Sequence, residues 1–169
     1  MAVTFTAIYL KYSLSLNFFI FCSAAFLLIT IIAIDLRYKL IPDVLQIILL
    51  FLGIFYAFCR SSEISAMEGA ALGATLGFGL RWIFFYWKNK ESLGMGDVKF
   101  LIVSGVFLGP QGLLPFIFFA GILGLVTAFF WNRLKLGHEF PFAPALAASL
   151  FLCLTVPEIS QLFWKIYDI

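Results

Sequence analysis

Six apolar runs separated by short polar breaks leave this chain few ways to fold; they fall at about residues 14–34, 43–59, 67–87, 98–109, 113–131 and 140–156. Most approach the ~20 residues that a helix needs to cross ~30 Å of hydrocarbon. With 63% hydrophobic and 12% charged residues and a mean hydropathy of +1.07, the chain has too little polar surface to clothe a soluble globule. The expected fold is all-α, a polytopic membrane protein of six transmembrane helices, built as a single integral membrane domain over residues 1–169. A membrane β-barrel would show segments of about ten residues that alternate in character, and these runs do not alternate.

The same features exclude several classes. The first charge is Lys11 and no small-residue cleavage site follows the first run, so the first helix is expected to be retained rather than cleaved as a signal. Cys22, Cys59 and Cys153 are far apart and form no CxxC pair. They read as buried, idle thiols, with no metal site or disulfide framework. The net charge of +2 is scattered over loops, which leaves no basic groove for nucleic acid. No internal repeat or low-complexity linker interrupts the pattern.

Charge asymmetry sets the expected orientation. Arg37 and Lys39 follow the first run, Lys88, Lys90 and Lys99 surround the third loop, and Arg133 and Lys135 lie in the fifth. These loops should face the cytoplasm, which places the N-terminus outside. Arg81, beside Trp82, Tyr86 and Trp87, is expected to snorkel to the inner interface among aromatic residues. His138 reads as a surface residue of a cytoplasmic loop. The tail after Pro157 carries Ile159, Leu162, Phe163 and Ile166 at helical spacing, as an interfacial helix would. Gly69, Gly73 and Gly77 share one face of the third segment, and Gly105 and Gly109 lie on the fourth; small residues at intervals of four let helices pack closely.

Acids are rare in such a chain and informative where they occur, because an acidic side chain costs about 2.5–3.5 kcal/mol at the centre of a spanning helix. Asp35, Asp43 and Asp97 all fall toward the cytoplasmic side, from different hairpins, and two of them can share one water. Each also has an ordinary reading. Asp35 is a juxtamembrane charge, Asp97 an N-cap, and Asp43 a favourable first-turn charge behind Pro42. For Asp43 the ordinary reading is preferred. For Asp97 the flanking Gly94 and Gly96 favour a functional role, since glycine permits backbone conformations closed to other residues and lets an extended peptide approach. The fourth run is short, about 18 Å as a helix. If Gly109 marks its outer end, Asp97 lies below the inner surface and the GMG loop dips in to reach it. Lys99, two residues on, is expected to point away and snorkel.

Taken together, these segments resemble the prepilin peptidase family of intramembrane aspartyl proteases. Asp35 with LIPD at 40–43 is similar to the family's first aspartate motif. EGAALGATLGFGLRW, GMGDVKF and VSGVFLG are similar in order and spacing to its glycine-rich helix, its GxGD motif and the helix that follows. PFAPALAAS at 141–149 resembles the family's PFGPFLA segment, with Ala143 where Gly is usual. The resemblance spans about residues 24–152. It implies a catalytic dyad of Asp35 and Asp97, with Gly94, Met95, Gly96, Pro42 and Asp43 lining the substrate's approach. It also implies a prepilin or pseudopilin substrate cut after a Gly at the cytoplasmic face, an inner-membrane location, and contact with pilus or secretion machinery. No cofactor or metal is implied. The family's CxxC-bearing insertion is missing from this stretch, so methyltransferase activity is not expected.

In the mechanism implied, one carboxylic acid and one carboxylate act on a water. Helix dipoles favour Asp97 as the anion and Asp35 as the acid. Two other readings are a non-catalytic pilus or secretion assembly subunit, which both aspartates argue against, and a small proton-coupled transporter. The latter predicts midplane carboxylates and often an inverted repeat, neither of which the sequence has.

Overall fold

The computed structural model describes residues 16–88, 94–134 and 141–156, with positions 158 and 165. The segment before Leu16, Lys90, Lys135, His138 and the tail helix lie outside the described residues. Among the described residues every regular element is helical: α1 (Leu16–Tyr38), α2 (Asp43–Cys59), α3 (Glu63–Lys88), α4 (Met95–Arg133) and α5 (Ala143–Thr155).

Prolines mark two of the breaks between helical segments. The residue before a proline is pushed out of helical geometry. Ile41 precedes Pro42 and lies outside both helices; α1 has ended at Tyr38, where Lys39 turns left-handed with φ 53°, and Pro42 caps α2 from an extended conformation. A proline also breaks α4. Pro110 removes an N–H and forces Gly109 out of the helix, at φ 66° and ψ −178°, a conformation that suits a residue without Cβ.

The break at Gly109 is a reversal of the chain. Asp97, near the start of α4, feels the charge of Asp35. Gly124 packs against Phe142, whose neighbour Ala143 donates its N–H to Asp35. In a straight helix Asp97 and Gly124 would be roughly 40 Å apart, so the limbs 95–108 and 110–133 must run back to the same end. Gly109 itself lies against Ser65, at the start of α3. The expected boundary at Gly109 therefore holds, and the run 95–133 is a helical hairpin with a short first limb.

Close packing locks the limb 95–108 to α3. A methyl added to Gly69 would collide with the Gly105 carbonyl, one on Gly105 would collide with Gly69, and one on Gly73 would come within 2.5 Å of the Leu101 oxygen. The expected glycine face is thus a backbone-to-backbone seam. A second core joins α1, α2, α4 and α5 through Phe21, Leu28, Leu49, Phe100, Phe116 and Leu150. Its buried Ser149 donates to the Phe116 carbonyl at 2.6 Å, which ties α5 to the returning limb.

Around this interior the molecule is oily. Phe19, Phe51, Phe58, Ile64, Trp82 and Leu125 are each more than half exposed, a surface far more apolar than water tolerates. Among the described residues two helices, α1 and α4, are long and apolar enough to cross a membrane; the others there are shorter or less apolar. Cys22, Cys59 and Cys153 are all free thiols, but of the three only Cys153 is buried; Cys22 is half-buried and Cys59 exposed.

Candidate active site

Asp35 lies one turn before the end of α1 on its buried face, only 4% exposed. Its Oδ2 accepts a hydrogen bond of 3.0 Å from the Ala143 N–H. That amide is free to donate because Ala143 opens α5, where the first N–H groups of a helix have no partner within it. PFAPALAAS thus contributes directly to the surroundings of Asp35, through a backbone group.

Asp97 comes from the hairpin. Gly94 caps α4, so Met95, Gly96 and Asp97 already form its first turn, and the Asp97 N–H bonds to the Gly94 carbonyl at 3.1 Å. Two readings change here. Asp97 is not the N-cap of its ordinary reading, and GMG is not a non-helical loop, since Met95 and Gly96 are already helical. Nor do the glycines supply unusual dihedrals: Gly94 has φ −64° and ψ 146°, and Gly109 is the one described glycine with positive φ. What they supply is space. A Cβ on Gly94 would stand 3.2 Å from Asp97 Oδ2, and one on Gly96 would stand 3.2 Å from Ile41 Cβ.

The two acids are thus brought to one end of the molecule from helices far apart in sequence, close enough to interact electrostatically. Helix termini do not rank them, since Asp97 lies in the first turn of α4 while Asp35 receives an amide from the first turn of α5. The expected division into Asp97 anion and Asp35 acid loses its basis.

The neighbouring candidates separate into different roles. Pro42 caps α2 and Asp43 occupies its first turn. Asp43 is paired with Lys99 at 2.7 Å, with side chains 61% and 45% exposed, so the ordinary reading of Asp43 stands. Lys99 crosses to α2 instead of pointing away to the lipid surface. Arg81 reaches Met95, its Nη1 donating to Sδ at 3.5 Å, which joins α3 to the start of α4.

One contributor escaped the sequence reading. Gln46, on the buried stripe of α2 with Leu49, Gly53 and Tyr56, donates from Nε2 to the Gly96 carbonyl at 3.1 Å. Its signal was a lone amide within the run DVLQIILLFLGIF. A cavity of about 200 Å³ lies elsewhere, lined by Arg60, Ser62, Ser65 and Gly109 at the opposite end of the hairpin, with no carboxylate in its wall. Among the described residues no three His, Cys, Asp or Glu side chains gather as a metal site would require.

Comparison with known proteins adds a relationship to this geometry. The type IV leader peptidase family matches residues 19–129. A prepilin leader peptidase/N-methyltransferase of Xanthomonas campestris pv. campestris is 34% identical over 128 residues, covering 72% of this chain and 44% of that protein. One from Dickeya chrysanthemi is 33% identical over 129 residues, again 72% and 44%. A Bacillus subtilis protein of the same description is 30% identical over 154 residues, 89% of this chain and 61% of its own length. The chain thus spans about half the length of these curated relatives. No solved structure matches it. Asp35, Asp97 and the glycine seam between α3 and α4 all fall within the matched stretch, and the chain belongs to the type IV leader peptidase family.

Proposed function

We propose that the protein is an intramembrane aspartic endopeptidase that removes the leader from type IV prepilin-like precursors at the cytoplasmic face of the membrane. The observation that carries this reading is the convergence of Asp35 and Asp97, from α1 and α4, at one end of an apolar bundle. In this reading six helical segments span the bilayer: α1, α2, α3, the two limbs of α4, and α5. The limb 95–108 reaches only about 21 Å, which sets Asp97 below the inner surface. A bond at the junction between a basic leader and a hydrophobic helix would come to rest at that depth.

Chemically, two adjacent carboxylates share a proton, so one acts as acid and the other as base. The base takes a proton from water, whose oxygen attacks the scissile carbonyl. The acid protonates the carbonyl oxygen, and collapse of the tetrahedral adduct expels the amine with a proton returned from the dyad. Gly94 puts no side chain beside the Asp97 carboxylate, where a Cβ would stand 3.2 Å from Oδ2, and the peptide approaches from that side.

The test is to incubate the detergent-purified protein with a prepilin and weigh the products by mass spectrometry. The expected result is one cut that frees the leader ahead of the hydrophobic segment. A precursor that is bound but uncut would favour an assembly subunit instead, and one neither bound nor cut would favour the transporter.

A further inference from the structure

Four polar or charged side chains are buried among the described residues: Asp35, Gln46, Ser104 and Ser149. Ser104 donates to the Phe100 carbonyl, Ser149 to the Phe116 carbonyl, and Asp35 accepts from Ala143. Gln46 differs. It is 3% exposed, and its Oε1 has no hydrogen-bond partner among the described residues. The orientation of the amide is fixed by chemistry, because the Gly96 carbonyl can only accept, so the arm facing it must be the NH₂ group. The acceptor is therefore left on the other arm, sealed from solvent. Buried acceptors in native proteins find donors, and a leucine here would have continued the apolar stripe at no such cost.

Resting on the peptidase reading above, we propose that Gln46 is a substrate-binding residue: its Oε1, closed off in the free protein, is uncovered as the extended peptide packs against the start of α4 and accepts a hydrogen bond from one of the peptide's backbone N–H groups. Three observations meet at this point. The amide grips the residue immediately before Asp97. With glycine at 96 no side chain separates the start of α4 from Ile41 and the amide, a Cβ there standing 3.2 Å from Ile41 Cβ and 3.5 Å from Gln46 Nε2. And an extended peptide offers N–H donors at every residue along its length. Gln46 thus joins two tasks in one planar group, holding the turn that bears Asp97 with its donor arm and reading the substrate backbone with its acceptor arm. Because it reads backbone, it contributes affinity and register without selecting a side chain.

An amide-to-ester scan tests this. Synthetic prepilin-derived peptides, each with one backbone N–H near the scissile bond replaced by an ester oxygen, are cleaved by the full-length wild type and by Gln46→Leu. In the wild type one ester position should raise KM about tenfold, the scale of a single hydrogen bond, with kcat less affected. In Gln46→Leu the same ester should cost nothing further. If every ester affects the two proteins alike, the missing donor is a fixed water or another protein group and the proposal fails while the peptidase reading survives. If Gln46→Leu does not fold, Gln46→Glu, which keeps an acceptor but loses the donor to Gly96, takes its place: the same N–H should stay sensitive in it, and insensitivity of every N–H in the wild type, or a different sensitive N–H in Gln46→Glu, overturns the proposal. Failure of the wild type to cut the all-amide peptide would overturn the peptidase reading and this proposal with it.

Discussion

A methyl group at Gly94 would stand 3.2 Å from Asp97 Oδ2, tight enough to move the carboxylate yet remote from the packed interior. Gly94→Ala should lower the cleavage rate about tenfold or more, as small misplacements of reacting groups do, with an unchanged melting temperature. Asp43→Asn is the contrast. Its ion pair with Lys99 is exposed and worth less than about 1 kcal/mol, so cleavage should stay within about threefold of wild type; a loss comparable to Asp97→Asn would place Asp43 in the chemistry. At this scale the acids were legible because charge is conspicuous in an apolar chain. Two of their partners were not. The Ala143 amide is a backbone group that every residue but proline carries, and Gln46 shows its role only once α2 lies against the first turn of α4.

Among the helices, the contact between α3 and the limb 95–108 depends on the absence of side chains. Gly105→Leu should lower stability by about 3 kcal/mol or more, since no flexible side chain can yield where backbone meets backbone. Gly79→Ala, which meets nothing within 4 Å, should instead be neutral or stabilising by about 0.5–1 kcal/mol through helix propensity. Thermal unfolding in detergent distinguishes the two. The glycine face and the break at Gly109 could be read from spacing and from the Gly-Pro pair. The element ends were less legible, for a physical reason: helices run beyond their apolar portions. Thus α3 begins at Glu63, ahead of the apolar run, and α4 begins at Met95 because Gly94 supplies its cap. What spacing could not show is that PFAPALAAS brings a helix terminus to Asp35, a contact across 108 residues of sequence.

At the scale of the whole molecule, the reversal at Gly109 returns the chain to the end where Asp35 and Asp97 meet, so one fold places both acids, the opening of α5 and Gln46 in a single layer. The proposed topology puts that layer on the cytoplasmic side. With Cys22, Cys59 and Cys153 replaced by serine, a cysteine introduced at Leu40 should then resist an impermeant maleimide in intact cells, while one at Ser61, at the other end of α2, should be labelled; the reverse pattern would invert the orientation. The central claim is that the two aspartates act together, and the most direct measurement is the cleavage rate of a prepilin by wild type, Asp35→Asn and Asp97→Asn, each shown to bind the substrate. Either substitution alone should lower turnover by at least 10²-fold, the scale of general acid–base assistance, with binding retained. Near-normal cleavage by either variant would contradict that claim.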